Sequence, residues 1–283
     1  MLNSPTASTL GKGKVAAGFD FRYVNFDEFD PILGHELHHD GREIHGYRHA
    51  ESYQWTLGYG VLEDVDLFLS APLVSVSSNQ IEVHRDAGRN ERSTGFGDMR
   101  LSGKYRFWKK GVEAALLAGL KFPTGVSAVK DKAGNKFAPE LQPGSHSWDA
   151  DFGIAFSRSF RSRISAATSF EYVLRTRGGQ GFNGGDVFRY SAGGAVSLRR
   201  FGKYPNASAH LELNNEWALK DHERSGVNRD SGGTTISLTP GLSFSITPAV
   251  SAYAAMPLPV YQNLGGLHEE TYFQVLAGMS VTV

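Results

Sequence analysis

The chain contains no cysteine, which removes disulfides, thiolate metal sites and cysteine nucleophiles together and suits a protein exposed to oxidising conditions. It has no surplus of charge either. The 29 Lys and Arg residues equal the 29 Asp and Glu residues, so the basic excess by which nucleic-acid binders neutralise phosphates is missing. No apolar run approaches the ~18 residues of a membrane helix, and mean hydropathy is -0.30. That value leaves a membrane barrel open, because a barrel wall shows lipid only every second residue. No Pro/Ser-rich linker or charge run divides the 283 residues. We therefore read one domain over 1–283, with 1–13 as a disordered or periplasmic N-terminal segment. The opening MLNSPTASTLGKGK also lacks the basic and apolar regions of a signal peptide. An exported protein would already have lost its signal, with Met1 an added start.

What the chain does have is period-two alternation, the pattern of strands whose side chains point to opposite faces in turn. In Thr94 to Gly125, one segment places Met99, Leu101, Tyr105 and Phe107 opposite Arg100, Ser102, Lys104 and Arg106. The next sets Val112, Ala114, Leu116, Ala118, Leu120 and Phe122 opposite Glu113 and Lys121. These segments reach the roughly 9 to 11 residues a tilted strand needs to cross a bilayer. The unit repeats along the chain. Arg163 to Thr176 opposes Ile164, Ala166, Phe170, Tyr172 and Leu174 to Arg163, Ser165, Ser169, Glu171 and Arg175, and Asn206 to Leu219 opposes Leu211, Leu213 and Trp217 to His210, Glu212 and Glu216.

Reading on in this way predicts about twelve strands, six long links and five short ones. That is an all-β, up-and-down transmembrane antiparallel β-barrel with short periplasmic turns and long outer loops. Ser78 to Arg92 reads as a charged loop, Pro240 as a bulge, and Val250 to Pro259 as a weak strand of unassigned face, since proline cannot donate to a ladder. A soluble β-sandwich also alternates. Strand length weighs against it, as do aromatics near strand ends, such as Tyr59, Trp108, Trp148 and Trp217, which read as interfacial girdles.

The phrases GFGDMRLSGKYRF at Gly95 to Phe107, LLAGLKFPTG at Leu116 to Gly125 and GSHSWDADFGIAFSRSF at Gly144 to Phe160 resemble the meta-pathway of phenol degradation family of outer-membrane proteins. The resemblance implies a bacterial outer-membrane protein that passes small, often aromatic or hydrophobic, molecules. Val283 is not the terminal Phe or Trp common among such barrels.

Alternation drives charge into the lumen, because Arg or Lys facing lipid at mid-depth costs about 2 to 4 kcal/mol. The expected lumen-lining set is Asp20, Arg22, Asp98, Arg100, Lys104, Arg106, Glu113, Lys121, Arg163, Glu171, Arg175, Arg189, His210, Glu212 and Glu216. With strands near 4.8 Å apart and tilted about 40°, twelve give a diameter of roughly 24 Å, which these side chains could nearly fill by pairing. They serve either as a wall-stiffening ion-pair network or as a selective lining. In the second case Arg100, Lys104 and Arg106 form a row opposed to Glu212 and Glu216.

Five of the ten histidines fall in GHELHHDGREIHGYRH, Gly34 to His49. His35, Glu36 and His39 match H-E-x-x-H, but Asp40 and Gly41 would end the helix that a metalloprotease needs there. A divalent metal on His35, His38, His39, Asp40 and His45 is the alternative function, a metal-binding or sensing barrel. No nucleophile signature accompanies the other histidines, so no enzyme and no further cofactor are expected. The expected partners are outer-membrane lipid and a small-molecule solute, with no nucleic acid, for a monomer.

Overall fold

The computed structural model describes residues 1–27, 44–81, 89–160, 162–224, 226–266 and 269–283. Its strands are β1 Val15–Phe26, β2 Ile44–Leu62, β3 Val65–Ile81, β4 Arg89–Phe96, β5 Arg100–Lys110, β6 Val112–Lys121, β7 Asp149–Phe160, β8 Ile164–Leu174, β9 Val187–Ser197 and β10 Asn206–Ala218. There follow β11 His222–Glu223, β12 Gly226–Val227, β13 Gly233–Ser245, β14 Val250–Ala255, β15 Leu258–Leu264 and β16 Thr271–Thr282.

Each stave pairs antiparallel with the next, and the sheet closes where β1 meets β16, from Ala16 opposite Thr282 to Phe26 opposite Thr271. Two staves are broken. β4 and β5 pair successively with β3, and β14 and β15 each pair with part of β13. With β11 and β12 forming a separate ribbon, the wall is a closed barrel of twelve antiparallel staves.

Burial runs opposite to that of a soluble sandwich. Leu116, Phe152, Leu211 and Leu242 are exposed on the outer face, while Asp66, Ser169, Glu212 and Thr239 are fully buried inside. On β10 this alternates residue by residue, Leu211 at 53 % and Leu213 at 40 % exposure flanking Glu212 at 1 %. An apolar belt outside and polar groups inside is the arrangement lipid demands. Tyr59, Tyr105 and Trp108 ring one end of this belt, and Trp148, Tyr172 and Trp217 the other; all are exposed.

Three sequence expectations are corrected. Ser78 to Arg92 is not all loop, for β3 runs on to Ile81 and β4 pairs back on it from Leu73 opposite Phe96 to Gln80 opposite Arg89. Pro240 sits in regular register opposite Leu211, and the bulge lies at Ile236/Ser237. Proline is tolerated at 240 because the partner stave is itself interrupted there, at Met256 and Pro257; the Pro240 carbonyl still accepts the Met256 N–H at 3.0 Å. The third concerns residues 1–13. They run inside the barrel rather than lying disordered or in the periplasm, and Ala7 packs on Ala115, Ala155 and Leu117.

Above the belt, a second apolar cluster of Val76, Phe137 and Leu141, flanked by Tyr47, Val74 and Val129, fixes the 122–148 loop against the extended β2–β3 hairpin. Gln142 locks that loop, its amide bonded to Val129 on both sides and to the Phe137 carbonyl. Gln180 donates to the same Phe137 carbonyl at 3.0 Å, joining the loop to the one that follows β8.

Candidate functional site in the lumen

The N-terminal segment enters beside the β2–β3 turn, where the Gly13 N–H donates to the Gly60 carbonyl at 2.7 Å. The approach is so close that a Cβ on Gly60 would stand 1.9 Å from the Gly11 carbonyl oxygen. Beyond this point the segment cannot form a ladder, so the wall supplies side-chain partners for its backbone. Asp66 on β3 accepts the Leu10 N–H at 3.0 Å. Lys104 on β5 donates to the Ser8 carbonyl and Glu113 on β6 accepts from the Ser8 hydroxyl, both at 2.9 Å. Ser157 on β7 accepts the Ala7 N–H. On the far side, Glu212 on β10 accepts from the Ser4 hydroxyl at 2.8 Å and from the N–H groups of Leu2 and Asn3, while Arg22 on β1 reaches the Asn3 side chain at 3.0 Å. Partners on β1, β3, β5, β6, β7 and β10 mean that the segment crosses the lumen from wall to wall.

On the outer side of this plug lies a cavity of about 380 Å³, roofed by the loops after β6 and β8. Its centre is Lys121, whose ammonium lies 2.6 Å from Asp149 and 3.1 Å from Asp98 and also bonds Ser145 and Ser147. Asp98, in the break between β4 and β5, also accepts the N–H groups of Gly125 and Ser145 at 2.9 Å each. The Gly-Phe-Gly-Asp phrase therefore stitches the roof loop to the wall. Arg100 pairs with Asp151, and Arg189 Nε with Glu216 at 2.8 Å.

The expected lining residues fall into several groups. Asp98, Arg100, Lys121, Arg175 and Arg189 line the chamber, with Glu216 on Arg189 and Glu171 facing Arg189 and Arg100. Arg22, Lys104, Glu113 and Glu212 hold the plug. Arg106 bridges Asp64 and Glu113 at 2.7 and 3.0 Å near the periplasmic end. Asp20 accepts from the Tyr253 hydroxyl at 2.7 Å, and His210 Nε2 bonds Ser243 at 2.8 Å. Arg163 is placed elsewhere, exposed in the turn between β7 and β8. Arg100, Lys104 and Arg106 do not form an open cationic row, because each is engaged by a different partner.

Asp66, Asp149 and Asp151 were missed, although alternation in VDLFL and WDADF puts all three inward. The proposed metal ligands His35, His38, His39 and Asp40, and the side chain of His45, lie outside the described residues. Among the described residues no group of three His, Cys, Asp or Glu side chains could hold a metal.

Comparison with known proteins gives the family and the fold. The family model for the MetA-pathway of phenol degradation matches residues 49–260. No curated protein sequence matches the chain. Among solved structures, the COG4313 outer membrane channel from Pseudomonas putida F1 is similar at TM-score 0.69, with 12 % identity over 100 % of both chains. The transport unit of the autotransporter AIDA-I from Escherichia coli is similar at 0.53, with 10 % identity over 99 % of this chain and 93 % of that one. The NanC porin is similar at 0.50, with 11 % identity over 93 % and 98 %. Since the family model spans most of the sequence, the chain belongs to the MetA-pathway of phenol degradation family, built on the fold of an outer-membrane barrel.

Proposed function

We propose that this protein is a monomeric outer-membrane channel for small molecules, with aromatic or hydrophobic compounds as its solutes, kept shut at rest by residues 1–10. The carrying observation is the combination of a lipid-facing closed barrel with a chamber whose periplasmic side is crossed by the N-terminal segment. Family membership supports the solute class, because phenol degradation requires small aromatics to enter the cell. A purely structural wall would need no chamber, and a chamber of this size falls within the ~300 to 1,000 Å³ of small-molecule sites.

The arrangement suits passage rather than catalysis, since Asp98, Lys121, Asp149 and Ser145 are engaged in holding wall and loops together. No finding favours the metal-sensing reading. The test is uptake of phenol into liposomes carrying the full chain, compared with a variant lacking residues 1–10. Slow flux in the full chain and faster flux in the truncated one is the expected result; no flux in either, with both folded, would end the channel reading.

A further inference from the structure

The chamber's cations are not equally committed. Lys121 lies between two carboxylates, Arg100 is on Asp151 and Arg189 is on Glu216. Arg175, at the outer end of β8, lines the same chamber, yet among the described residues no carboxylate comes within ion-pair distance of its guanidinium and no hydrogen bond engages it. Its position is nonetheless built. The Arg175 N–H donates to Asp186 at 2.8 Å, fixing the backbone, and the guanidinium lies along Gly184, where a Cβ would stand 3.1 Å from its Nη1. Phe182 comes against the same Gly184, and Val173, two residues earlier in the chain, lines the same chamber.

A preorganised guanidinium with free donors next to an aromatic and aliphatic wall matches a planar ring bearing a carboxylate. The fork takes the two oxygens side by side, and the ring lies against the apolar lining. The charge of Arg175 reaches Glu216, but that carboxylate is bonded to Arg189 at 2.8 Å, and Glu171 faces Arg189 and Arg100. We infer that the chamber is a binding subsite for monoaromatic carboxylates, with Arg175 as the residue that recognises the carboxylate. This rests on the channel reading and deepens it from aromatic solutes in general to acidic ones.

The experiment is a ligand-detected NMR titration of the full chain, folded in detergent, with benzoate and with its neutral isostere benzamide. Benzoate should bind the wild type saturably, and Arg175→Gln should weaken it at least about tenfold, the loss of a charge-assisted pair. Arg175→Lys should lie between the two, and benzamide should not respond to either change. Gly184→Ala, which keeps the charge but displaces the guanidinium, should also weaken benzoate, and it decides the matter if Arg175→Gln does not fold by heat-modifiable migration. Benzoate binding that is indifferent to Arg175→Gln, or to Gly184→Ala where that variant decides, overturns the proposal, as does benzamide binding as tightly as benzoate. Phenol flux measured in parallel separates the two readings. Flux without benzoate binding overturns the subsite alone, and binding without flux overturns the channel alone.

Discussion

The carboxylate of Glu212, on the wall strand β10, accepts from the Ser4 hydroxyl at 2.8 Å across 208 residues of sequence, and it does so while 1 % exposed. A wall carboxylate and a segment before the first strand have become each other's solvation.

That pairing makes Glu212 the latch of the plug. Glu212→Ala removes acceptors for three donors, and charged hydrogen bonds contribute about 1.5 to 3 kcal/mol each. The open fraction in planar bilayers should rise at least about tenfold, as one such bond would require. An unchanged conductance in Glu212→Ala, alongside a raised conductance on deleting residues 1–10, would move the latch elsewhere on the segment.

Lys121→Met is expected to destabilise the barrel. It leaves Asp98 and Asp149, whose side chains are 4 % and 10 % exposed, without their cation, and breaking a buried pair from one side costs about 3 to 5 kcal/mol. The temperature of the heat-modifiable gel shift should fall, and a second change, Asp149→Asn, should recover part of the loss.

Low pH should loosen the periplasmic end. Hydrogen bonds from Arg106 and Lys109 hold the Asp64 carboxyl, in the β2–β3 turn, below the ordinary carboxylate range. For a lowered acid, the stabilisation is present above the unfolded value of about 3.9 and is lost as pH falls through the folded one. Unfolding followed by circular dichroism should steepen below about pH 4, and Asp64→Asn should flatten that dependence.

At the outer end the sign is reversed. Glu269, in the link before β16, is buried, and burial pushes its carboxyl up to about 8 against the opposing N–H of Tyr47. The folded state then holds a proton that the unfolded chain releases near pH 4.3, so stability falls as pH rises from about 4.3 and levels off above about 8. Hydrogen-exchange protection of the Tyr47 amide should decline across this window relative to Glu269→Gln. Identical protection in both proteins at pH 5 and pH 9 would count against it.

Where the sequence could be read, the reason was lipid. Leu211, Leu213 and Trp217 face hydrocarbon and Glu212 does not, so parity on β10 is imposed by the solvent. Once β3 rises above the belt that contrast disappears. SVSSNQ at Ser75 to Gln80 has one apolar residue, Val76, and from Ser78 onward the chain reads as loop although β3 and β4 stay paired there and Ser75, Thr94, Arg92 and Glu51 bond across the strands. The plug was illegible for a different reason. MLNSPTASTL has no period, and its partners, Asp66 and Glu212, are set by closure of the barrel and not by any local pattern. Arg163 failed because alternation assigns a face but does not say where a strand turns.

The break at Met256 and Pro257 has a mechanical corollary. Beyond Gln274, whose N–H still reaches the Pro257 carbonyl at 3.0 Å, no ladder joins β15 to β16 among the described residues; the Gln262 side-chain amide spans the gap instead, accepting from the Thr271 N–H at 2.9 Å and donating to its carbonyl at 3.0 Å. Where the joints to either side have ladders, β13 to β15 and β16 to β1, this one is fastened by a removable pin, the side chain of one glutamine. Sideways load on the wall therefore concentrates at that joint, and a rotamer flip of one glutamine is the smallest motion that unfastens it.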